Sequence, residues 1–156
     1  MAFAASGDEA LLGKLKARLL ESAETGNALA KEMTLPLVKG IDAFASEAYD
    51  EAVTYLEPVF PQLARIGGSH AQREVFEDTL LEAYLRAGQY DKAEDMLTER
   101  LNRRSSVRDS YWMSRAQAST GQADAAKESL SHVKQQWQHA DPGSPEMVAI
   151  DNLTGA

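Results

Sequence analysis

Three histidines, His70, His132 and His139, are the side chains best suited to proton transfer near neutral pH. Two of them follow serines, as Ser69-His70 and Ser131-His132. A nucleophile must face its base, and neighbours on a helix point about 100° apart, so neither dipeptide is a working pair. No two histidines stand four apart, and neither His-Glu-x-x-His nor a Gly-x-Ser-x-Gly elbow occurs. Cysteine is absent, which excludes thiolate nucleophiles, thiolate metal sites and disulfides. Carboxylates are plentiful, but Asp50-Glu51, Glu74/Glu77/Asp78 and Glu94-Asp95 fall where solvated helix faces are expected. The expectation is a chain that is not an enzyme and carries neither metal nor cofactor.

One segment has the residue types for holding an anion. Gly67-Gly68-Ser69-His70-Ala71-Gln72-Arg73 would set exposed amides at a helix start, with Ser69, His70 and Arg73 beside them, to meet a carboxylate or phosphate. It lacks the Lys-Ser/Thr of a P-loop. The competing reading is structural: Ser69 and Gln72 form a capping box, and His70 and Arg73 brace the neighbouring helices.

Charge narrows the partners. The 156 residues carry 24 acidic and 16 basic side chains, a formal charge of −8. That sign argues against nucleic acid and against an anionic membrane surface. Arg100, Arg103, Arg104 and Arg108 cluster around one break between helices, a smaller basic area than nucleic-acid binding requires. Apolar residues make up 44% of the chain, enough for a core, and the length suits one domain. No apolar run reaches the roughly 18 residues of a membrane span, and the opening residues lack the basic and apolar regions of a secretion signal. A soluble, cytoplasmic protein is expected.

The elements that must position these residues read as helix almost throughout. Leu11, Leu12, Leu15, Leu19, Leu20, Ala23, Ala28, Leu29 and Met33 recur at three- and four-residue steps. They predict a helix over 8–32, capped by Asp8 and weakened at Gly26-Asn27. Helices follow over 35–46 and from Tyr49 to about Ile66, the latter broken near Glu57 because Pro58 and Pro61 lack an N–H. Further helices are predicted from Ser69 to about Ala87 and over 90–103, 107–120 and 123–138. Asp141-Pro142-Gly143-Ser144-Pro145 stops helix, which leaves 141–156 as a flexible tail.

Three segments share one pattern: Glu47-Ala48-Tyr49-Asp50-Glu51-Ala52, Gly88-Gln89-Tyr90-Asp91-Lys92-Ala93 and Gly121-Gln122-Ala123-Asp124-Ala125-Ala126. Each stands between two predicted helices. The alanines at 52, 93 and 126 let paired helices cross closely, and the turn glycine ends the first helix with positive φ. One such pair cannot bury its own apolar face, so pairs must stack. The second spacing, Ala93 to Ala126, fits the helix–turn–helix unit of about 34 residues that defines a tetratricopeptide repeat. Glu47 in place of a turn glycine, and Ala123 in place of tyrosine, mark the repeats as degenerate.

Residues 26–30, Leu35-Pro36-Leu37 and Leu56-Glu57-Pro58, and above all Arg65-Ile66-Gly67-Gly68-Ser69-His70-Ala71-Gln72-Arg73, add a sharper likeness. They resemble the C-terminal part of the tetratricopeptide repeat protein 38 family, over roughly 26–103 and more loosely over 104–139. The resemblance implies an all-helical repeat fold and says little about chemistry.

The predicted architecture is therefore an all-α, right-handed α-α superhelix, a tetratricopeptide-like solenoid of about seven helices. An N-terminal helix over 1–33 caps the stack, three hairpins occupy 34–139, and a tail follows over 140–156. The predicted function is a protein–protein interaction scaffold holding a peptide or protein partner in its concave groove. Setting the repeats by their alanines places Leu37, Ile41 and Phe44, then Asp78, Glu82 and Leu85, then Arg108, Tyr111 and Arg115, on the inner face. This series runs from apolar to acidic to basic. The alternative is a self-association module, with Trp137 packing either on the Trp112 hairpin or in a dimer contact. The chain is thus expected as a monomer or a homodimer.

Overall fold

Asp8 starts the first helix by accepting the Leu11 N–H at 3.0 Å, the N-cap expected of it. The computed structural model describes residues 8–141 and 143–154, and among these every regular element is a helix. The chain divides after Gly88 into two compact units.

In the first unit, helix α1 (Glu9–Glu24) buries only Leu12. It stops earlier than the apolar periodicity predicts. Gly26 adopts φ 97°, its N–H bonds to the Ala23 carbonyl, and the Asn27 N–H reaches back to Ser22. This left-handed cap satisfies carbonyls that the helix end would leave open. Asn27 then caps the next helix by accepting the Ala30 N–H at 3.0 Å.

That next helix passes through one wide π turn, Ala30–Thr34, before continuing as α2 (Leu35–Ala45). Pro36 explains the turn. A proline inside a helix has no N–H to give and its ring crowds the carbonyl four residues back. Widening the turn, so that the Leu35 N–H bonds to Ala30 instead of Lys31, accommodates it.

Helix α3 (Tyr49–Leu56) packs on α2. The crossing is close enough that a Cβ added at Gly40 would stand 2.5 Å from Leu56 Cγ. Ala52, one of the three repeat alanines, is fully buried beside it. Beyond α3 the two prolines break the helix as expected, and Phe60–Ile66 continues as 3-10 helix. Helix α4 (His70–Arg86) follows Gly67 and Gly68, both at positive φ. Met33, Leu56, Leu80 and Leu81 lie at the centre of this unit with at most 2% of their surface exposed.

The second unit contains α5 (Tyr90–Arg103), α6 (Val107–Ser119), α7 (Ala123–Gln136) and α8 (Pro145–Thr154). Helix α6 packs against both α5 and α7. Ala93, Leu97, Ala116 and Val133 are its fully buried apolar residues, together with Ile150 of α8. The stretch expected as tail thus carries a helix with a buried anchor. Ile150 sits in a sequence of weak periodicity behind two prolines, which is why the pattern did not announce it.

Four turns share one geometry. Gly26, Glu47, Gly88 and Gly121 all have positive φ, and each donates its N–H to the carbonyl three residues back. Glu47 does at φ 60° what glycine does elsewhere, in a region that costs an L-residue about 1–2 kcal/mol.

Candidate functional site

The Gly67–Arg73 segment holds itself together. Gln72 accepts the Ser69 N–H at 2.7 Å, and Ser69 Oγ accepts the Gln72 N–H at 3.2 Å, a complete capping box. Arg73 donates to the Gly68 carbonyl at 2.6 Å and to the Gly67 carbonyl at 3.4 Å. Its guanidinium is therefore engaged with the loop backbone. His70 is exposed, with Nδ1 3.6 Å from the Glu74 carboxylate, so a negative group already stands at this helix start. The capping box is the one the structural reading expects, whereas these contacts of Arg73 and His70 run to their own loop and helix, where that reading had them brace the neighbouring helices.

The residues assigned to the inner face fall into different environments. In the first unit Leu37 and Ile41 are buried, 4% and 6% exposed, and serve the core. Phe44 is half-buried and meets the Tyr49 ring edge-on at 5.6 Å. On α4, Asp78 is half-buried, and Glu82 accepts a hydrogen bond from Arg86 Nε at 2.8 Å. That carboxylate, through its hydrogen bond and then its charge, raises the Arg86 pKa above its ordinary value.

A polar contact that the sequence did not reveal lies nearby. Tyr84 is 6% exposed and donates its hydroxyl proton to Glu57. Burial first, then the Glu57 charge and this hydrogen bond, hold the phenol well above its usual pKa. The Leu-Glu-Pro sequence showed where α3 ends but not that its glutamate turns back onto α4.

In the second unit Tyr111 is buried, packing on Trp137 with ring centroids 6.1 Å apart. This is the internal contact weighed for Trp137. Arg115 lies 6.0 Å from the Tyr111 ring, and Arg108 lies 4.5 Å from the Trp112 ring. Arg100 approaches the same indole at 5.7 Å and binds both oxygens of Asp109, at 3.0 and 3.1 Å. Both partners of this ion pair are buried, at 6% and 1% exposure. Asp109 also supplies the N–H that Ser106 Oγ caps, so one residue fixes the first turn of α6 twice. The sequence showed the arginine cluster, but nothing in it distinguished the buried Arg100 from its exposed neighbours.

Among the described residues no three His, Cys, Asp or Glu side chains come together as a metal site. No helix of these residues is long and apolar enough to cross a membrane. No protein-family model matches the chain, and no solved structure matches it.

Proposed function

We propose that the chain is a non-catalytic interaction scaffold of the cytoplasm, a right-handed superhelix of tetratricopeptide-like hairpins that holds a peptide or protein partner in its concave groove. The observation that carries this reading is the recurrence of one turn geometry at Gly26, Glu47, Gly88 and Gly121, with Ala52 and Ala93 fully buried and Ala126 nearly so. Helices that pack across such a turn, as α2 and α3 do at Glu47 and α6 and α7 do at Gly121, are the units from which repeat proteins build extended binding surfaces. Leu37, Ile41 and Tyr111 support the hairpins from within, and the exposed or half-buried Phe44, Asp78, Glu82, Arg108 and Arg115 are the contacts offered to a partner.

A second reading is self-association through the ends of the repeat array. It draws on α1, where Leu11 and Leu20 remain 41% and 48% exposed.

Affinity capture from lysate, comparing wild type with the Glu82→Arg/Arg115→Glu variant, separates the two. Circular dichroism first confirms that both fold. Loss of the captured partner in the variant is the expected result. Equal recovery by both proteins, with a solution mass of two chains, would instead favour self-association.

A further inference from the structure

The arginines at the α5–α6 corner form a concentrated positive region in an otherwise acidic chain. Between positions 100 and 115 the sequence has five arginines and one acidic residue, whereas the whole chain has a formal charge of −8. The single acid of that stretch is Asp109, which is buried and bound to Arg100. Arg103, Arg104 and Arg108 are exposed. The backbone between the helices is extended at Arg104 and Ser106, so the corner presents its side chains outward instead of continuing a helix. Arg108 is further held by the Trp112 ring, which limits the freedom its guanidinium would lose on binding.

We infer that this corner, Arg103, Arg104 and Arg108, docks an acidic peptide segment of a protein partner. The inference rests on the scaffold reading and gives the partner its chemistry. Range decides whether the chain's overall negative charge forbids it. At physiological ionic strength the screening length is about 8 Å, so an approaching carboxylate responds chiefly to the arginines beside it. Exposed arginines keep only weak ion pairs within their own chain, and a carboxylate-rich segment exchanges with those pairs at little cost. Planar guanidinium groups also match carboxylates two hydrogen bonds at a time.

The test uses the full chain and a fluorescein-labelled peptide of alternating glutamate and glycine, read by anisotropy. Control probes are the same peptide with glutamine for glutamate and a single-stranded oligonucleotide. Arg103→Glu/Arg104→Glu is compared with Lys14→Glu/Lys31→Glu, which changes net charge equally in the first unit at exposed positions. The expected result is saturable binding of the glutamate peptide that weakens roughly tenfold or more in the arginine variant and with added salt, and little in the lysine variant.

Several results would overturn the inference: no binding by wild type, equal loss in both variants, or tighter binding of the oligonucleotide. Equal binding of the glutamine peptide would reject the acidic class yet leave the scaffold standing, which fails on its own capture experiment. A wild-type mass of two chains that the arginine variant reduces to one would assign the corner to self-association and reject the peptide.

Discussion

Leu80 and Leu81 fill the centre of the first unit at 1% exposure or less, whereas the second unit spends two buried positions on Arg100 and Asp109. Aliphatic contacts are non-directional, and their worth follows the area removed from water. A buried ion pair works differently: most of its attraction repays the desolvation of its own charges, while losing one partner strands the other. The first unit is thus held by volume and the second, in part, by geometry. Asp109 ties the last turn of α5 to the first turn of α6, and this sets the register of that hairpin more than its stability.

The largest expected effect comes from breaking that pair. Asp109→Ala should destabilise the protein by about 3–5 kcal/mol in urea unfolding, with the loss of amide-exchange protection centred on 89–154. The double replacement Arg100→Met/Asp109→Leu should recover most of this loss. A single replacement costing under about 1 kcal/mol would show that geometry matters no more here than in the first unit.

Next is Gly40→Ala. Its Cβ would meet Leu56 far inside normal contact, and a packed core answers such crowding with about 1–3 kcal/mol of destabilisation. A smaller loss in thermal melts would mean that α2 and α3 can separate and that volume is not limiting.

Glu47→Gly should act in the opposite direction. It removes the left-handed strain and gives back part of the gain through a looser unfolded chain, a net stabilisation of roughly 0.5–1 kcal/mol. An unchanged or lower melting temperature would show that the glutamate side chain compensates its own backbone.

The smallest effect is confined to alkaline pH. Tyr84 keeps its proton in the folded state to higher pH than in the unfolded chain, where tyrosine titrates near 10. The associated stability is fully present below about pH 10 and declines as pH rises from there toward the folded-state pKa. Tyr84→Phe should flatten that decline, measured as melting temperature against pH. An identical alkaline limb in both proteins would remove Glu57–Tyr84 from the account of the first unit.

The sequence was most legible where one residue type has one use. Pro58 and Pro61 marked the break after α3, Ser69 and Gln72 marked the start of α4, and the glycines at 88 and 121 marked turns. It was least legible where the outcome depends on distant atoms. The π turn before Pro36 adds a residue without changing composition, and a 3.6-residue period cannot register it. Leu37, Ile41, Leu85 and Tyr111 occupy positions that the repeat register assigned to an inner face, yet their burial depends on neighbours that a linear pattern does not contain. The pairings of Arg100 with Asp109 and of Tyr84 with Glu57 join residues whose types are ordinary and whose meeting is made by folding.

The aromatic pairings of the second unit also provide an optical handle. Trp112, flanked by Arg100 and Arg108, and Trp137, packed on Tyr111, are the only two tryptophans in the sequence, and both lie beyond Gly88. Light absorbed at the red edge of the protein spectrum therefore excites the second unit alone, while ellipticity sums over every helix. A melt followed by both signals separates the unit that holds the buried Arg100–Asp109 pair from the first unit, without any label.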